Sequence, residues 1–126
     1  HDGTAAKMAR EQFSLIETMI ARYPDDLEAA RSADDIVRIH AEGKIASLIG
    51  VEGGHMIENS LDILREYYNR GARYLGLTHS ETIDWADSAK LIFMAGSLMG
   101  RCVGSTVMVD AVARGRNPRD RRFAVG

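Results

Sequence analysis

The sequence predicts an α/β fold built on parallel strands, and three observations carry that prediction. Ile45-Ala46-Ser47-Leu48-Ile49-Gly50-Val51 is apolar without alternation, which suits a strand covered on both faces. Tyr74-Leu75-Gly76-Leu77-Thr78 has the same character, and an amphipathic stretch from Ser60 to Arg70 lies between the two runs. Strand, helix and strand within about 30 residues make a βαβ unit, whose crossover is expected to be right-handed. Both strands run into a chemically useful side chain, Glu52 after the first and His79 after the second. (β/α) barrels place active-site groups in this way, at the C-terminal ends of successive strands, so an enzyme is the leading class.

The other elements follow in chain order. Gly3 to about Tyr23 reads as a helix, with Met8, Phe13, Ile16, Met19 and Ile20 recurring near the helical period among Lys7, Arg10, Glu11 and Glu17. Pro24 ends it, because the residue before a proline is pushed away from helical geometry. Leu27 to Arg31 reads as a short helical turn. Ser32 is placed to cap a helix from Ala33 to about Glu42, with Asp34 and Asp35 at the positive end of its dipole and Gly43 as its stop. In the Ser60–Arg70 helix, Leu61, Leu64, Tyr67 and Tyr68 form the expected inner face, and Gly71 ends it. Glu81 to Ala89, with Trp85, reads as a long loop on the functional face. Beyond Lys90 the signal weakens: Leu91–Met99 is apolar and rich in small residues, Val103–Val112 suits a strand or a helix, and Arg114–Arg122 is basic without periodicity.

Composition bounds the function. The 126 residues suffice for one domain with a core, and 45% hydrophobic with 27% charged residues is ordinary for a soluble globular protein. A formal net charge of -2 gives no overall attraction to nucleic acid or to an anionic membrane surface. The apolar runs fall well short of the roughly 20 residues of a membrane helix. Cys102 is the lone cysteine, which excludes a disulfide framework and a cysteine-rich zinc site. The chain does not begin with Met, so part of the N-terminus is expected to be missing, and this segment assigns no localisation.

Among the polar residues, Glu52 comes first. A carboxylate directly after a buried strand, followed by Gly53-Gly54, can project into a barrel mouth to bind metal or act as a base; the plain alternative is a solvated loop carboxylate. His79 suits a metal ligand, a proton donor or a donor to a substrate oxygen, against a strand-end histidine bonded to a carbonyl. Its pairing with Glu52 one βα unit earlier favours the functional role. His55 in the turn, His40 on a surface helix and His1 receive no role. Asp84 and Asp87 flank Trp85 and are read as loop-folding residues, with orientation of His79 or of the substrate as the alternative. Arg116, Arg119, Arg121 and Arg122 have no interleaved aromatics and read as a solvated tail, so no nucleic-acid partner is expected.

Several of these strings together resemble the membrane (renal) dipeptidase family. They are Ile45 through Val51-Glu52-Gly53-Gly54-His55, Leu64-Arg65 through Gly71-Ala72-Arg73-Tyr74-Leu75, Leu77-Thr78-His79, and Asp84-Trp85-Ala86-Asp87-Ser88-Ala89, with Ala21-Arg22-Tyr23-Pro24 just before. The resemblance covers about residues 5–89 and implies a fragment of a (β/α)8 TIM-type barrel that uses two zinc ions (Zn2+) to hydrolyse dipeptides, in some members D-residue dipeptides or β-lactams. By that resemblance Glu52 is the carboxylate that bridges both zincs. His79 is the histidine that contacts the substrate and helps stabilise the tetrahedral intermediate.

The departures are as informative. The family's N-terminal His-x-Asp pair and its two later zinc-binding histidines have no match here: His1-Asp2 lacks the spacing, and no histidine follows His79. A catalytic zinc takes about three protein ligands and a barrel typically about 250 residues, so this chain is expected to be an internal fragment, inactive alone. Exposed sheet edges would favour homo-oligomerisation or aggregation of such a piece, and a non-catalytic remnant is the alternative function. The expected division is residues 1–89 as partial barrel and residues 90–126 as a divergent tail, disordered or frameshifted. Phe93 to Leu98 allows codons that, in a shifted frame, encode a family-like His-Gly-Gly-Leu-Thr.

Overall fold

A computed structural model describes residues 3–79, 82–86 and 106–108. The chain opens with helix α1, Thr4–Arg22. Its buried face is Ala6, Ala9 and Phe13, continued by the partly buried Ile16 and Ile20. These recur at intervals of three and four, as one face of a helix requires. Met8 and Met19, expected on that face, are exposed, because a 3.6-residue period sets them about 100° or more from its centre.

A three-residue strand β1, Leu27–Ala29, follows where a helical turn was expected. It pairs in parallel with β2, Ile45–Ser47, in the register Leu27 to Ile45 and Ala29 to Ser47. Hydrogen bonds from Ile45 N–H to the Asp26 carbonyl (2.8 Å) and from Ala30 N–H to the Ser47 carbonyl (2.8 Å) extend the pairing at both ends. Available backbone partners on β2, rather than local propensity, decide this conformation. Helix α2, Ala33–Ala41, lies between, with the Ser32 hydroxyl accepting from Asp35 N–H as expected.

The long apolar run is not one strand. It breaks at Leu48 into β2 and β3, Ile49–Val51, and the two halves serve different partners. β3 pairs in parallel with β4, Ala72–Gly76, with Gly50 opposite Tyr74 and Val51 opposite Leu75 and an irregularity between Ile49 and Gly50. The run is also unevenly covered: Ile49 and Val51 are buried, whereas Ile45 is 64% exposed. The second strand begins and ends two residues earlier than expected, so His79 stands three residues beyond it.

Helix α3, Leu61–Asn69, makes the β3–α3–β4 crossover, with the Ser60 hydroxyl accepting from Ile63 N–H. Leu64 and Tyr67 are buried and Tyr68 is half-buried, but Leu61 in the first turn is exposed. Gly43 and Gly71, both at positive φ, stand just past α2 and α3. β5, Thr106–Met108, pairs antiparallel with β4 and gives the order β3-β4-β5. The rest of the tail expected over residues 90–126 lies outside the described residues, as do His1, Asp87, Cys102 and the basic cluster Arg116, Arg119, Arg121 and Arg122. Among the described residues the fold is α/β with parallel strand pairs.

The core lies where α1 and α3 meet β3 and β4: Ala9, Phe13, Ile49, Val51, Ile57, Leu64, Tyr67, Ala72 and Leu75. Tyr67 is fully buried, stacks on Phe13 with ring centroids 5.0 Å apart, and donates its hydroxyl to the Met56 carbonyl at 2.8 Å. Burial pushes that hydroxyl above its ordinary pKa of 10.0. Two guanidinium forks clasp the helices from outside. Arg10 grips Glu66 at 2.8 Å through both carboxylate oxygens, and Arg70 grips Glu17 at 3.0 and 2.8 Å. Planar forks of this kind fix orientation as well as proximity.

Candidate functional site

Because β3 and β4 run parallel, their C-terminal ends open on the same end of the sheet. Glu52 follows β3 directly. His79 follows β4 after Leu77 and Thr78. The two meet with His79 Nε2 3.4 Å from Glu52 Oε1. That is longer than the roughly 2.7–2.9 Å of a tight charge-assisted hydrogen bond. Both side chains are open to solvent, Glu52 at 83% and His79 at 55%, so the pair is loose and adds little stability. Such a pair can exchange its mutual contact for another ligand.

The turn that aims Glu52 depends on two glycines for different reasons. Gly53 has φ 105, a conformation that side chains resist, and a Cβ there would lie 2.6 Å from the His55 ring and 3.3 Å from His79 Cβ. Gly54 has no room for a side chain: a Cβ would meet Trp85 Cη2 at 2.5 Å and the Leu77 carbonyl oxygen at 2.6 Å. Gly54 N–H donates to that Leu77 carbonyl at 3.0 Å, which stitches the turn after β3 to the exit of β4. His55, assigned no role from sequence, thus has its ring against Gly53, on the same turn as Glu52.

A short 3₁₀ turn, Gly54–Ile57, carries the chain away and anchors it to the core. Glu58 and Asn59 then both take positive φ, 47 and 60. Non-glycine residues adopt this conformation infrequently, with asparagine among the favoured. The Glu58 carboxylate accepts from Ala6 N–H at 2.9 Å. It thereby caps the first turn of α1, whose own N-cap, Gly3, offers no side chain for the purpose. Asn59 uses both ends of its amide, accepting from Trp85 Nε1 at 2.9 Å and donating to Asp84 Oδ2 at 2.6 Å. Asp84 and Trp85 form the tip of a tight turn closed by reciprocal Ile83–Ala86 backbone hydrogen bonds. Asp84 therefore has the loop-folding contact expected for it.

Asn59 was passed over in the sequence. The available signal was an asparagine immediately before a helix-capping serine, in a segment following two glycines. Among the described residues no group of three or more His, Cys, Asp or Glu is arranged to hold a metal ion. The helix-clasping ion pairs away from Glu52 and His79 show clear pKa displacements. Hydrogen bonding to Arg70 lowers Glu17, and hydrogen bonding to Arg10 lowers Glu66.

Comparison with known proteins gives a consistent match. Residues 1–97 match the family described as membrane dipeptidase, peptidase family M19. Dipeptidase 3 of Mus musculus is 46% identical over 88 residues, 70% of this chain and 17% of that protein. Dipeptidase 3 of Homo sapiens is 44% identical over the same shares. Dipeptidase verJ of Clonostachys rogersoniana is 45% identical over 78 residues, 62% of this chain and 20% of that protein. The chain thus spans about a fifth of the length of the curated relatives it matches.

Proposed function

The chain belongs to the membrane dipeptidase family, and from that premise we propose that it is a segment of a zinc-dependent dipeptidase on a (β/α)8 TIM-type barrel. In this reading residues 1–89 supply part of the barrel, residues 90–126 are a divergent tail, and the substrate is a dipeptide. The observation that carries the reading is the meeting of Glu52 and His79, 3.4 Å apart, at one end of a parallel strand pair.

Zinc would polarise the scissile carbonyl and activate water when bound. A catalytic zinc takes about three protein ligands. The described residues do not form such a set, so they do not fit a zinc site by themselves. Glu52 is proposed as one contributor, the bridging carboxylate, to a site that other parts of the whole protein complete. His79 is proposed to act on the substrate. Its Nε2 is the nitrogen that faces Glu52, and an imidazole N–H there can turn to a substrate oxygen as negative charge develops.

The test is hydrolysis of a dipeptide panel, with zinc added, by the whole protein that contains this segment and by the segment alone. The expected result is turnover by the whole protein that Glu52→Gln abolishes, with weak zinc binding and no measurable turnover by the segment. Turnover by the segment with two tightly bound zincs would overturn the division of labour proposed here.

A second reading, a non-catalytic remnant prone to self-association, is favoured by the wide exposure of the Glu52 side chain and the incomplete ligand set among the described residues. Under it, Glu52→Gln changes no activity of the protein.

A further inference from the structure

We propose that Asn59 and Trp85 are positioning residues that set the separation of Glu52 and His79. This rests on the reading of Glu52 and His79 as a working pair. The two carriers leave the paired strands β3 and β4 before the site is reached. Glu52 sits on a glycine turn, His79 lies three residues past the end of its strand, and their own contact is loose and solvated.

Beyond the strand pairing, a latch of Trp85 and Asn59 meets the turn. The Trp85 indole lies so close over Gly54 that a Cβ there would be 2.5 Å from Cη2 and 2.6 Å from Cζ2. Its N–H is fixed by Asn59 Oδ1 at 2.9 Å, and the other end of the Asn59 amide holds Asp84 at 2.6 Å. Gly54 in turn donates to the Leu77 carbonyl, two residues before His79, while Gly53 abuts His79 Cβ. Pressing the indole onto Gly54 therefore holds the Glu52 turn against the segment that carries His79. Asn59 suits the task on two counts. It tolerates the φ of 60 required at its position, and its amide offers an acceptor to the indole and a donor to the carboxylate at once. A plain loop tether would need only one of these bonds and no seat for the ring on the glycine turn.

Trp85 is the sole tryptophan, so it gives one indole N–H resonance and one emission signal. The experiment is NMR on the full chain at fixed pH, without zinc or substrate. It reads how far Glu52→Gln shifts the His79 ring resonances in three backgrounds: the unaltered chain, Asn59→Gly and Trp85→Phe. Asn59→Gly removes the side-chain amide but keeps the backbone at ease, and Trp85→Phe removes both the donor and the outer indole ring that reaches Gly54. In the unaltered chain Glu52→Gln is expected to move the His79 ring signals, because their contact is direct. In both variant backgrounds that shift is expected to be mostly lost, with red-shifted Trp85 emission in Asn59→Gly and unchanged amide signals at Leu64 and Tyr67.

An equal Glu52→Gln effect in all three backgrounds overturns the proposal, and so does its absence from the unaltered chain. If one variant disturbs the core amides, the other decides. The readout involves no turnover, so a failure of the dipeptidase reading appears in the hydrolysis assay and leaves this coupling result standing.

Discussion

Two regions of the described structure solve the same problem, covering a parallel strand pair, to different degrees. Around β3 and β4, helices α1 and α3 bury a continuous core, seal it with the Phe13–Tyr67 stack, and are clasped by Arg10–Glu66 and Arg70–Glu17. Around β1 and β2 helix α2 lies against β2 and α1 reaches β1, but fewer side chains are buried. Ala30 and Ile39 are buried, while Ile36, Val37 and Ile45 are exposed and line an open apolar hollow with His40, Lys44 and Ala46. A strand pair needs apolar cover on each face that is not meant for water, and among the described residues the continuous buried cluster lies on β3–β4. The candidate site lies on the well-supported pair. That placement is sensible, because an exposed pair of side chains can be held in place only by a rigid base beneath it.

The comparison can be broken most severely from its strong side. Phe13→Ala should cost about 3–5 kcal/mol, by lost burial and by the cavity left against Tyr67. In urea denaturation that should move the midpoint to much lower urea, because it is a large fraction of ordinary marginal stability. Ile39→Ala, in the thinner half, should cost less, about 2 kcal/mol, because Ile39 is buried but lies outside the continuous core cluster that holds Phe13. Equal losses from the two substitutions would show that the halves are equally consolidated.

The long-range cap gives a smaller effect. Glu58→Ala removes the acceptor for Ala6 N–H and should cost about 1 kcal/mol, with the loss concentrated in hydrogen-exchange protection of the first turn of α1. Glu58→Gln keeps an acceptor and should recover part of it.

Acid should act on the helix clasp. Arg70 and Arg10 hold the Glu17 and Glu66 carboxyls below their ordinary value of 4.5. A depressed carboxylate contributes stability that is fully present above the ordinary value and is lost as pH falls through the lower folded value. The midpoint of thermal unfolding should therefore be level above about pH 5 and fall below it, and Glu66→Gln should flatten that fall. An unaltered slope in the variant would remove Glu66 from the account. The smallest effect is expected at Val37, which is 70% exposed. Val37→Ser should change stability by no more than about 0.5 kcal/mol in denaturant titration.

The sequence by itself determined everything that depends on neighbours a turn away. Ser32 and Ser60 cap the helices they precede because the amide each one meets is three residues on. Gly43 and Gly71 stop those helices because of their own backbone freedom. The carboxylate at the end of β3 was legible because strand, glycine turn and acid are contiguous, and the string around it carried the family resemblance that residues 1–97 bear out. Only the tertiary structure decided the rest. Leu27–Ala29 became a strand because β2 offered it hydrogen bonds. The run Ile45–Val51 divided at Leu48 because its halves found different partners. The cap of α1 came from Glu58, and the fastening of the Glu52 turn from Trp85 and Asn59. Periodicity records which face of an element is apolar; the element that meets that face, or supplies a missing hydrogen bond, is fixed only when the chain closes on itself.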